Sequence, residues 1–182
     1  MKKLLLLFLG GGVLLFLIGC SSTSGLVKTQ QDDGFITTSD IITGNEKIQH
    51  SDFELGAFYN LRDSITGERE NIAACITDNT LVISANYQYN QWLFINEVIF
   101  IDTDTNTRLA LPGGISDTEV VAGNVLRESY TVSVNNSDLA TLRQIINGAP
   151  QVCFIGTKGR TDLLKIKPKQ INAFNLTLDK LN

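Results

Sequence analysis

The residues of this chain that could do acid–base chemistry are few, and most of them are carboxylates. Glu97, Asp102, Asp104 and Glu128 fall in or beside apolar segments. Two of them held roughly 5 to 10 Å apart could serve as the acid and base of a hydrolase. The one histidine, His50, joins a polar N-terminal stretch to the more apolar body. With no second histidine and no clustered cysteines, zinc or imidazole catalysis has almost no material here, and no cofactor or metal is implied. The stretch "DTDTN", Asp102 to Asn106, imitates the opening of a calcium loop. However, Thr107 stands where such a loop needs glycine, and Gly113 where it needs a bidentate glutamate. It reads as a polar hairpin turn. "GTKGR", Gly156 to Arg160, offers glycines and two cations but lacks phosphate-loop spacing and a following helix. It too reads as a turn.

Two further groups are candidates for a binding or polar site. Arg127 and Glu128 interrupt an apolar segment, so alternation sends one of them inward. A buried charge needs a partner, and a residue on a neighbouring strand such as Glu97 could supply it. Trp92, Tyr87 and Tyr89 form an aromatic group suited either to anchoring a ligand or to filling a core.

The elements that would position these residues follow from period. In "DFELGAFYNL", Phe53, Leu55, Ala57, Tyr59 and Leu61 alternate with the other parity, which predicts a strand. "NIAACI" is a second apolar run, turned at Asp78-Asn79 into the alternation of Leu81, Ile83, Ala85, Tyr87 and Tyr89. "WLFINEVIFI" is apolar on both parities, as expected of a central strand covered on both faces. "DTDTNT" then turns the chain into "RLAL". "LPGG" and "VAGN" bracket a loop before the strand "VLRESYTVSV".

Leu139, Leu142, Ile145 and Ile146 have helical spacing, with Asn136 or Ser137 as cap and Gly148 and Pro150 as stop. "QVCFIG" and "TDLLKIK" form a hairpin around "TKGR". Pro168 then opens a final helix with Ile171, Phe174, Leu178 and Leu181 on one stripe. The expected fold class is α+β: an antiparallel sheet of about seven strands, with two helices from the C-terminal half packed on one face.

The N-terminus carries a different kind of chemistry. Lys2 and Lys3 precede an uncharged run from Leu4 to Ile18, interrupted by Gly10, Gly11 and Gly12. This is the pattern of a secretory signal, and it is shorter than the roughly 20 apolar residues of a membrane span. The run ends in Leu17-Ile18-Gly19-Cys20 and changes at once to "SSTSG". These four residues resemble the lipobox of bacterial lipoproteins. The resemblance implies cleavage before Cys20, acylation of its thiol and amine, and anchoring by lipid without spanning. Ser21 and Ser22 are compatible, within that family, with the outer membrane facing the periplasm. The resulting organisation is a signal over 1–19, a lipidated N-terminus and tether over 20–50, and one α+β domain over 51–182.

Without Lys2 and Lys3, 13 basic side chains face 19 acidic ones, a charge of −6. That excludes a nucleic-acid partner, which requires clustered cations. Cys75 and Cys153 remain as an even pair. Export would permit a disulfide between them, while their apolar surroundings, "IAACI" and "VCFI", equally suit two buried thiols.

A second resemblance rests on "WLFI", "RESY", "DLATLRQI" and "VCFIG" in that order. Over about residues 70 to 182 the chain is similar to a small α+β module of uncharacterised bacterial envelope proteins. It implies a fold and no active site. The reading is therefore a non-enzymatic envelope lipoprotein that binds or assembles with an unknown envelope protein or small ligand. The alternative is a carboxylate-dependent envelope hydrolase.

Overall fold

A computed structural model describes residues 26–31, 33–40, 43–53, 69–122 and 125–181. Among them, twelve strands build two antiparallel sheets. The larger sheet begins as a meander of β1 (Leu26–Gln30), β2 (Phe35–Asp40), β3 (Glu46–His50), β4 (Arg69–Thr77) and β5 (Thr80–Tyr89). It is completed by β9 (Val125–Ser133) and then β8 (Ile115–Ala122), in the order β1-β2-β3-β4-β5-β9-β8. The smaller sheet is built on β6 (Ile95–Asp102), between β7 (Thr107–Pro112) and β10 (Pro150–Gly156). The short strands β11 (Gly159–Arg160) and β12 (Leu164–Lys165) pair with β10. The fold class is thus the expected one, an antiparallel α+β structure with two helices in its C-terminal half. The strands divide between two sheets.

Local chemistry explains the best-defined parts. Asp78 and Asn79 both take positive φ, 49° and 58°, and close the two-residue β4–β5 hairpin with the twist that antiparallel strands favour. Helix α1 (Asn136–Asn147) buries Leu142, Ile145 and Ile146, with Leu139 at the margin. Its cap position is Asn135, one residue before those expected, and the Asn135 side chain makes no capping bond to the helix backbone. Helix α2 (Pro168–Asp179) starts at its proline and buries Phe174 and Leu178, with Ile171 and Leu181 partly covered. Gln170 accepts a bond from the Lys167 amide at 3.2 Å and donates to Asn71 and to the Ile72 carbonyl on β4. The α2 start is thereby fixed to the larger sheet. The helices pack on each other, α1 also against β6 and β7, and α2 against β3 and β4. Phe53, Phe174 and Phe100 meet edge to face within the core formed there.

Three expectations need correction. Of the stretch expected to be tether, Leu26–Gln30, Phe35–Asp40 and Glu46–His50 form β1, β2 and β3, with Phe35 and His50 buried. Strand β1 is exposed along its whole length, so it offers no alternation to read. The expected loop between "LPGG" and "VAGN" is the edge strand β8, exposed from Ile115 (79 %) to Val120 (65 %) and silent for the same reason. Finally, the strand at "WLFINEVIFI" starts only at Ile95, because Phe94 takes a positive φ of 54°. Of the expected strand at "DFELGAFYNL", Phe53 ends a 3-10 turn, Ser51–Phe53; residues 54–61 lie outside the described residues.

The irregular entry into β6 is held from β9. Glu128, fully buried, accepts the amides of Leu93 and Ile95. Two residues on, the buried Tyr130 hydroxyl lies 3.0 Å from both the Asn96 and Leu111 carbonyls and accepts from the Gly114 amide at 2.8 Å. Burial raises the Tyr130 pKa, so it remains a donor. Removing the hydroxyl takes the acceptor from the part-buried Gly114 amide and the donor from a carbonyl, at about 1–3 kcal/mol. Tyr130→Phe should therefore lower Tm by several degrees, at about 2–4 °C per kcal/mol for a chain of this size. An unchanged thermal midpoint would show that the phenol contributes only its ring.

Candidate functional site

The four carboxylates considered for catalysis are dispersed along and around β6. Asp102, at the C-terminal end, is buried and accepts from the Thr105 hydroxyl (2.6 Å), the Asp104 amide (3.0 Å) and the Ala149 amide (3.0 Å). These bonds, the Thr105 hydroxyl foremost and the Ala149 amide next, hold its carboxyl below the usual range. A Cβ on Gly148 would come within 2.5 Å of its Oδ2, so the helix end approaches because that residue is glycine. Asp104 is exposed in the turn. Glu128 sits at the opposite end of β6, and Glu97 shares the outward parity of β6 with Ile99. None of the four lines a described hollow.

The remaining candidates also have structural tasks. The inward side chain is Glu128, held by two backbone amides where a side chain on a neighbouring strand was expected; Arg127 turns outward and pairs with Glu119. Tyr87 stacks on Tyr89 (4.4 Å), whose hydroxyl donates to Glu70, and Trp92 stacks on Phe94 (5.9 Å). His50 Nδ1 accepts the Asp52 amide at 3.2 Å, which puts the proton of the neutral ring on Nε2. Its ring meets Phe35 edge-on. At "GTKGR", the Thr157 and Lys158 amides donate to the Phe94 and Leu93 carbonyls, both at 3.2 Å, so they are not turned toward a phosphate.

The bridge considered between Cys75 and Cys153 is not formed; both thiols are free and buried. Cys75 pairs with Val82 on the outward parity of the larger sheet, and Cys153 with Ile99 on the outward parity of the smaller one. The sulfurs thus point away from each other, and burial raises the pKa of Cys75. Cys20 lies outside the described residues.

What the structure does assemble is a hollow of about 540 Å³ on the outer face of the smaller sheet. Its floor is Ile99, Ile101, Cys153 and Ile155, with Leu163, half exposed, at one side. Arg108 and Arg160 stand on its rim. Ile99 and Ile101 are the second parity of "WLFINEVIFI", expected to be covered from both sides, and Ile155 is their neighbour on β10. From Glu97 onward, among the described residues of β6 and β10, the inner parity of Val98, Phe100, Val152 and Phe154 belongs to the packed core and these isoleucines do not. A second, polar trough of about 350 Å³ crosses the larger sheet past Lys47, Asn71, Ser84 and Asn86.

No family model, curated protein or solved structure matches this chain.

Two outcomes follow from the placement of these residues. Because the folded pKa of Asp102 is depressed, its charge stabilises the fold fully above the unfolded value, about pH 4, and less as pH falls through the folded value. Asp102→Asn should lower the urea midpoint at pH 7, and the gap from wild type should close under acid. A gap that stays constant down to acid would show that the carboxylate charge is irrelevant. Mass analysis without reductant should find Cys75 and Cys153 as thiols that alkylate rapidly only after denaturation; a product lighter by two hydrogens would contradict the arrangement.

Proposed function

We propose that this protein is a lipid-anchored lipoprotein of the cell envelope whose folded domain is a non-enzymatic binding module. The observation that carries the reading is Leu17-Ile18-Gly19-Cys20 at the end of the charged-then-apolar N-terminal run. A thiol placed there can take an acyl chain, and each buried methylene adds about 0.8 kcal/mol of membrane affinity. No helix among the described residues is long and apolar enough to cross a membrane. Ser21 and Ser22 favour the outer membrane, with the domain in the periplasm. The binding role is supported by a ligand-sized hollow and by Asp102 and Glu128, whose carboxylates are engaged in holding backbone. The partner class on this reading is a small ligand or an envelope protein.

A Cys20→Ala variant, made in the whole chain, should lose labelled fatty acid and leave the membrane fraction. If it retains both, the anchor is not at Cys20. Crosslinking the wild type in native envelopes then identifies what it touches.

A further inference from the structure

The outer face of the smaller sheet has a definite layout. Across the strands, register places Arg160, Ile155 and Glu97 in one row and Gln151, Ile101 and Arg108 in another, with Cys153 and Ile99 between. With strands ~4.8 Å apart and ~3.3 Å per residue, the two arginine Cα atoms lie roughly 20 Å apart, on one diagonal of the hollow. Long guanidinium side chains at the ends of such a diagonal can reach toward an apolar centre. Elsewhere the described arginine side chains are ion-paired, Arg127 with Glu119 and Arg143 with Asp179. Arg108 and Arg160 form no ion pair among the described residues, although Asp162 lines the same hollow and Glu97 lies in the Arg160 row. In a chain of net charge −4, two guanidiniums on one rim are thus without an acidic partner among the described residues.

We propose that this hollow binds a single-chain anionic amphiphile, its hydrocarbon on Ile99, Ile101 and Ile155 and its carboxylate or phosphate head at Arg108 or Arg160. The volume lies within the range of small-molecule sites. A guanidinium fork matches either head group with two parallel hydrogen bonds. The concave floor receives an individual chain; a bilayer surface would instead be met by a flat or protruding apolar face. This inference deepens the binding-module reading and does not depend on the lipid anchor.

The test uses the whole chain in phosphatidylcholine nanodiscs, read by isoleucine methyl NMR and titrated with octyl phosphate, octanol or inorganic phosphate. The methyls of Ile99, Ile101 and Ile155 should shift saturably with octyl phosphate. Octanol and inorganic phosphate should each bind about tenfold more weakly or worse. Arg108→Gln combined with Arg160→Gln should weaken octyl phosphate binding by about tenfold or more while leaving the remaining methyl spectrum in place. Absence of shifts, equal binding of octanol, or an unaffected double variant would overturn the proposal. If phosphatidylglycerol nanodiscs alone move the same three methyls, the occupant is a membrane surface and the single-molecule proposal falls. Fractionation of Cys20→Ala judges the anchor separately, so the two readings can fail independently.

Discussion

Most of this architecture depends on one buried carboxylate that meets amides in place of a cation. Glu128 takes the Leu93 and Ile95 amides at the point where the chain bends through Phe94 in a left-handed conformation. Such a backbone costs of order 1 kcal/mol for a residue with a Cβ, and it persists only when its surroundings fix it. The surroundings do so from two sides, because the carbonyls of Leu93 and Phe94 are taken by the Lys158 and Thr157 amides. Gly156 allows the approach, since a Cβ there would lie 2.2 Å from the Leu93 carbonyl oxygen. The smaller sheet is thereby docked on the larger at the first residue of its central strand.

That docking decides which parity of β6 faces the core. A strand shifted by one residue would bury Ile99 and Ile101 and expose Val98 and Phe100. Both parities are apolar, so hydrophobicity alone discriminates weakly between the two registers. Polar groups break the tie: Glu128 and Tyr130, two apart on β9, find donors and acceptors only in the observed register. The apolar floor of the hollow is the unused half of that choice.

The α+β class, both helices and the Asp78-Asn79 turn were legible in the sequence, because each is announced by local periodicity or turn chemistry. β1 and β8 were not, since an edge strand without a buried side chain leaves no pattern. The division into two sheets was also hidden: "WLFINEVIFI" looks the same whether its second face is covered by another layer or left as a groove. Alternation did show that Arg127 or Glu128 turns inward. It could not show that backbone amides would meet the charge, since those amides lie 33 to 35 residues away in sequence. The rim arginines carried no signal of their own, being joined only by the sheet.

The N-terminal meander has a mechanical side. From Cys20 to Leu26 the chain spans at most about 20 Å when fully extended, so an anchor at Cys20 would be a short leash. Any pull along it would load β1, an outermost strand whose partner is β2. Lys180, at the end of α2, reaches Asp33 at 2.9 Å and Gln31 at 3.1 Å and caps the Phe35 ring. It therefore works as a rivet just behind that strand. Such a tension would peel β1 while the rivet and the Glu128 clamp stay closed, and β1 would then act as a fuse for the rest of the domain.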